Sequence, residues 1–234
     1  MKKFLPTLVE VSLSELKLEG NEIFFGSLRN LETGIRGRDN IPYRCLVNLY
    51  STLGKKQEVY RVWSLCKSKF PRESYGAYYA VISAHIRWGD IQGAEKFYQE
   101  WLQSNSTYEP RMGNLLMACY VREEHFEKAK RVFDQMIEAG GRPNSISWEI
   151  LGWGHTKEGR IHDALSCFRE AVFLAKGKNA WKPQPYNVSA FLELCEKEGD
   201  MGSKVEFLRL LGELSCFQLS RQHLQVNSGR SHQH

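Results

Sequence analysis

No stretch of this 234-residue chain approaches the roughly 18 to 20 consecutive apolar residues that a membrane-crossing helix needs. None of its six cysteines pairs as C-x-x-C, and no histidine stands at zinc-ligand spacing from a cysteine pair. Cys45, Cys66, Cys119, Cys167, Cys195 and Cys216 instead fall mostly on apolar positions of helical patterns. There a free thiol acts as a small hydrophobe, which points to a reducing compartment and away from a disulfide framework. Catalytic signatures are missing too. No G-x-x-x-x-G-K-[ST], G-x-S-x-G or H-E-x-x-H occurs, and the zinc-deaminase signature, H-x-E with a downstream P-C-x-x-C, is absent. The remaining Glu and His residues share no mutual frame, so the sequence predicts no enzyme, no cofactor, no metal site, no small-molecule substrate and no membrane partner. Strand-like alternation persists nowhere, which excludes a β fold.

What is present is modest in charge and strongly periodic in pattern. Lys and Arg number 32 against 27 Asp and Glu, giving +5 and a pI near 8.8, compatible with a polyanionic partner without requiring one. The start, Met1-Lys2-Lys3-Phe4-Leu5-Pro6 followed by Glu10, Glu15 and Glu19, is neither Arg/Ser-rich nor apolar enough to read as a transit or signal peptide. Either the chain stays where it is made, or it is a shortened form lacking its targeting segment.

Gly54, Gly89, Glu124 and Gly159 stand 35 residues apart, and so do Val59, Ala94, Ala129 and Ala164. An aromatic follows each of the second set by four residues: Trp63, Tyr98, Phe133 and Phe168. Self-similarity at this period predicts stacked helical hairpins, each unit burying its apolar face on its neighbours. The units are 40–74, 75–109, 110–144 and 145–184, the last lengthened by the polar run Lys176–Ala180. A degenerate repeat is expected over 1–39, a capping hairpin over 185–214 and a disordered tail over 215–234, where His232 and His234 read as a frayed end. Within the third unit, Leu115, Leu116, Cys119 and Tyr120 form one stripe, and Phe126, Ala129, Val132, Phe133 and Met136 a second. Ala139-Gly140-Gly141 then Pro143 stop the helix. The expected fold is an all-α, right-handed solenoid of helix-turn-helix repeats. The aromatic series, and Tyr50, His85, Tyr120 and His155 at position 11 of each unit, are expected in the packing between helices.

Taken alone, the fourth unit looks like a tetratricopeptide repeat, with Trp148, Leu151, Gly152, Gly159, Ala164, Phe168 and Ala171 at that motif's places. The 35-residue interval, however, and the unit endings Gly141-Arg142-Pro143-Asn144 and Trp181-Lys182-Pro183-Gln184 resemble the pentatricopeptide repeat. The segments 114–120 and 127–136 closely match the two helices of its consensus, and the likeness spans three quarters of the chain, Asn40 to about Leu214. The run is similar to the plant organellar class built only of standard-length units.

That resemblance implies binding of single-stranded RNA, an organellar transcript or ribosomal RNA. It places the protein in the mitochondrion, with the plastid the other organelle it allows. One nucleotide would dock per unit, its base edge read by the side chains at position 5 and the last position, with position 2 wedged on the base face. The pairs carried over are Arg44 with Ser74, Tyr79 with Glu109, Asn114 with Asn144, and Glu149 with Gln184. Ile41 and Ile146 suit the wedge; Gly76 and Arg111 do not. Only Asn114/Asn144 is a pair the family's rules assign, and it favours a pyrimidine, cytosine first. Glu109 and Glu149 would repel phosphate unless paired with a base amino group or a nearby Arg. The competing reading is a scaffold whose hairpins grip another protein.

Overall fold

The computed structural model describes residues 40–70, 75–104, 108–175 and 181–214. The expected N-terminal repeat, the insertion at 176–180, the tail from 215 and the candidate residue Ser74 all lie outside the described residues. Ten helices and no strand occupy what is described: α1 Ile41–Thr52, α2 Lys56–Lys69, α3 Tyr75–Arg87, α4 Ile91–Ser104, α5 Pro110–Arg122, α6 Phe126–Glu138, α7 Ser145–Lys157, α8 Ile161–Ala175, α9 Pro185–Glu198 and α10 at 201–214. None of these is long and apolar enough to cross a membrane. Proline opens three of the first helices (Pro42, Pro110, Pro185), where its missing N–H costs nothing and its φ is already helical.

Contacts divide the chain into two compact units, Met1–Ala84 and His85–His234, the division falling inside α3. In the first, α1 packs on α2, burying Tyr43, Leu46, Val47 and Tyr50 together with Val59, Val62, Trp63 and Cys66. Trp63 meets Tyr78 of α3 edge-on, ring centroids 4.7 Å apart, an arrangement that aromatic quadrupoles favour. In the second, α5 touches α4, α6 and α7, and α7 in turn touches α8 and α9. First helices thus pack on first helices of the next repeat as well as on their own partners. Phe168, Phe191 and Phe207 close the core of α8, α9 and α10, with centroid separations of 4.6 to 5.3 Å. On α10, Phe207, Leu210 and Leu214 are buried, while Val205 and Leu208 stay exposed.

The periodic residues take the places expected of them. Val59, Ala94, Ala129 and Ala164 have no exposed surface, and Trp63, Tyr98, Phe133 and Phe168 are all buried. A side chain no larger than these fits where the two helices of a hairpin cross. Tyr50, His85 and Tyr120 are buried as well, and His155 packs edge-on against Phe126 at 4.8 Å, where burial lowers its affinity for a proton. The described cysteines are free; burial pushes Cys167 up to about 12 and raises Cys119 and Cys195, so these thiols stay protonated.

The strict interval has a backbone cause. In every repeat the carbonyl at position 11 accepts from the N–H five residues on: Tyr50 from Lys55, His85 from Asp90, Tyr120 from His125, His155 from Arg160 and Cys195 from Asp200, at 2.8 to 2.9 Å. This closure needs a left-handed residue one position before the donor. Gly54, Gly89, Gly159 and Gly199 supply it with φ of 70° to 74°; in the third repeat Glu124 does so at 63°, the one non-glycine with positive φ among the described residues. A Cβ in that region costs about 1–2 kcal/mol. Glu124→Gly removes that strain and forfeits the exposed Lys157–Glu124 contact at 3.8 Å, worth about 0–1 kcal/mol, and some unfolded-state order. The variant is expected to be about 0.5 kcal/mol more stable, read as a rise in the urea midpoint of the circular dichroism signal.

Candidate nucleic-acid interface

Two junctions between first helices bring the candidate residues together, α5 to α7 and α7 to α9. At the first, Asn114 Nδ2 donates to Asn144 Oδ1 at 3.2 Å. Asn144 is the N-cap of α7: its side chain accepts from Ser147 N at 3.0 Å, and its own N–H donates to Ser147 Oγ at 3.1 Å, a reciprocal capping box. Ser147 Oγ donates to Asn114 Oδ1 at 2.7 Å and stands 3.2 Å from Asn144 Oδ1. Asn114 is buried and Asn144 half-exposed. Residues at position 5 and at the end of the unit therefore meet directly, and a third side chain, Ser147, bonds to both.

At the second junction Glu149 is 4 % exposed. Its carboxylate accepts from Gln184 N at 2.7 Å, Trp181 Nε1 at 2.8 Å and Asn187 Nδ2 at 3.0 Å. A buried carboxylate is tolerable only with such partners. Here the position-5 group reaches the backbone of the last position of its unit, not the Gln184 side chain, and it is committed to holding the entry of α9. The concern that Glu149 would repel phosphate from an open face is met by this burial; Glu109, half-buried, lies 3.6 Å from Arg111 Nε.

Of the remaining candidates, Ile41 and Ile146 are exposed, as a wedge residue must be. So is Tyr186, which holds position 2 of the fifth repeat and meets Trp153 edge-on at 6.2 Å. Arg44 is half-buried, and its guanidinium covers Gly76: a Cβ there would lie 2.6 Å from Arg44 Cζ. Arginine thus fills the room that the glycine at position 2 leaves empty. Tyr79 is half-buried with its ring 6.1 Å from that of Tyr75. Gln184 is exposed. Lys157 donates to Val121 O at 3.0 Å and Arg122 O at 3.4 Å, so a cation of one repeat sits on the carbonyl end of the preceding first helix. On α6, Lys128 pairs with Glu95 and Lys130 with Glu127. No group of three or more His, Cys, Asp or Glu among the described residues is placed to hold a metal.

The sequence gives Ser147, Trp181 and Asn187 no role at the site, although Trp181 opens one of the two unit endings. Ser147 was legible in principle, since Asn-x-x-Ser ahead of a helix is a capping pattern. Trp181 and Asn187 carry no such mark, because their role depends on where the loop after α8 comes back to α7.

Known proteins resemble this chain in sequence and in fold. The family model described as PPR repeat matches residues 76–106 and 114–141. A pentatricopeptide repeat-containing protein of Arabidopsis thaliana is 46% identical over 202 residues, covering 85% of this chain and 38% of that protein. The large ribosomal subunit protein mL101 (rPPR4) of the same plant is 33% identical over 186 residues, covering 79% and 38%. The chain thus spans about two fifths of the length of these curated relatives. Five further Arabidopsis relatives carry the word mitochondrial in their names. Among solved structures, the crystal structure of the pentatricopeptide repeat protein PPR10 from maize aligns with a TM-score of 0.52 at 15% identity, over 82% of this chain and 28% of that one. At that identity the likeness speaks for the fold, an all-α solenoid of helix-turn-helix repeats. Repeat length, unit endings, helix pairing and these relatives converge: the chain belongs to the pentatricopeptide repeat family.

Proposed function

We propose that this chain binds single-stranded RNA along the first helices of its repeats and acts, without catalysis, as an adaptor in the processing, stability or translation of organellar transcripts, or on ribosomal RNA, in mitochondria. The observation that carries the reading is the Asn114–Asn144 contact at 3.2 Å: two amides at position 5 and the unit end, held side by side in a member of a family whose repeats read bases with those positions. The names of the mitochondrial relatives support the compartment. One such pair yields about 1–3 kcal/mol of discrimination, so this chain selects at one nucleotide and draws the rest of its affinity from phosphate contacts.

A second reading, a protein-binding scaffold, is favoured by one observation. Glu149, at the reading position of the fourth unit, is committed to Trp181, Gln184 and Asn187, and a relative is named as a ribosomal subunit protein. Salt separates the two. Affinity for a short pyrimidine-rich RNA is expected to fall linearly in log–log terms with salt, with a slope of about −0.7 per phosphate contacted. No RNA retention even at low salt leaves the scaffold. The double variant Asn114→Ala, Asn144→Ala is expected to erase a preference at one nucleotide while keeping that slope; an unchanged preference refutes base reading by this pair.

A further inference from the structure

Resting on the RNA-binding reading, we infer that Ser147 is a positioning residue: it fixes the orientation of both asparagine amides so that the pair offers donors and no acceptor to a base. The chain of constraints starts from the backbone. Ser147 N–H can only donate, so the Asn144 atom 3.0 Å away is Oδ1. With that oxygen in place, the Asn114 atom facing it at 3.2 Å must be Nδ2. Asn114 Oδ1 is thereby turned to Ser147 Oγ at 2.7 Å, which takes the single hydroxyl proton. The hydroxyl, its proton spent, accepts from Asn144 N–H at 3.1 Å. Each step leaves one choice for the next, and Ser147 has no exposed surface through which water could substitute.

What remains unengaged is equally defined. Both amide oxygens are occupied. Nothing among the described residues accepts from Asn144 Nδ2, and one proton of Asn114 Nδ2 is also left over. Asn144, the half-exposed member, is the one a base reaches first. A base that matches two neighbouring donors must present two neighbouring acceptors. Cytosine does so with N3 and O2; uracil puts an N–H at position 3, and guanine offers N–H groups at both corresponding places. Without the Ser147 hydroxyl, Asn114 Oδ1 loses its donor and only the 3.2 Å contact to Asn144 Oδ1, itself still held by Ser147 N–H, orients the Asn114 amide, so the preference for cytosine over uracil weakens. Ser147 belongs to the next repeat, so specificity at this nucleotide is set by three residues spread over two units.

The test uses the 234-residue chain and four short RNAs identical except for C, U, A or G at the nucleotide that the third unit reads, located by the position at which the Asn114→Ala, Asn144→Ala variant loses discrimination. Ser147→Ala is expected to reduce the cytosine-over-uracil ratio by about three- to tenfold, the worth of one hydrogen bond, while total affinity for the uracil RNA changes by less than about twofold. Ser147→Thr, which keeps the hydroxyl, is expected to restore the ratio. Side-chain amide signals of Asn144 in nitrogen–proton spectra of the free protein should shift in Ser147→Ala and return in Ser147→Thr. If Ser147→Ala keeps the full ratio while Asn144→Ala abolishes it, the inference is overturned and base reading stands. If the wild-type chain shows no preference at any nucleotide, or the double asparagine variant keeps one, base reading itself fails and this inference with it.

Discussion

Glu149→Ala is expected to destabilise the fold by about 4 kcal/mol, the largest loss from any single substitution in the candidate site. The carboxylate is the common acceptor for Trp181 Nε1, Gln184 N and Asn187 Nδ2, and Trp181 and Asn187 are themselves buried. Removing it strands these donors, and each buried orphan costs about 1–3 kcal/mol. Part of that returns because the emptied space can admit water near Gln184, which is exposed. Glu149→Gln separates the contributions. Its amide keeps one oxygen but turns an N–H toward a donor, so a loss of about 2–3 kcal/mol is expected. Urea unfolding followed by circular dichroism gives the totals, and hydrogen exchange should show the loss in α7 and α9 first. A loss below about 1 kcal/mol for Glu149→Ala would show that the carboxylate is not what fastens α9 to α7.

Gly154→Val is expected to cost about 3 kcal/mol for a different reason, overpacking. A Cβ built on Gly154 would stand 2.1 Å from Cε2 and 2.3 Å from Cδ2 of Phe126. That ring cannot step aside easily: His155 lies edge-on to it, and Lys130 and Arg160 sit over it at 5.3 Å and 6.0 Å. Glycine is a poor helix former, and alanine would recover about 1 kcal/mol of propensity. Overpacking of about 1–3 kcal/mol outweighs that gain, and valine adds bulk without the full propensity benefit. Gly212 on α10 is the control, having nothing within 4 Å of its would-be Cβ; Gly212→Ala should gain about 0.5–1 kcal/mol. Equal behaviour of the two sites in thermal melts would rule out the steric account.

The fold was legible because its determinants are local and recur. A left-handed residue, a small residue five places on and an aromatic four beyond that each do one job in each of the first four hairpins, and burial follows the same periodicity. The candidate site was legible only in part. Helical spacing puts Asn114 and Glu149 at equivalent positions and gives no sign that one joins a capping box and the other is enclosed by Trp181. That difference arises because first helices pack on one another, α5 on α7 and α7 on α9. A face that looks open in a single repeat is half covered by its successor. Met112, Met117 and Val121 are buried beyond the single stripe expected for α5, for the same reason.

Lys157 makes this interdependence concrete. Its ammonium closes the last carbonyls of α5, a helix that begins 47 residues earlier in the chain at Pro110. Anyone wishing to reprogramme such an array by swapping single-repeat cassettes would sever that tie, together with those from Ser147 to Asn114 and from Asn187 to Glu149. The exchangeable part is therefore longer than one period: a graft that keeps its grip must carry the opening helix of the following hairpin along with it.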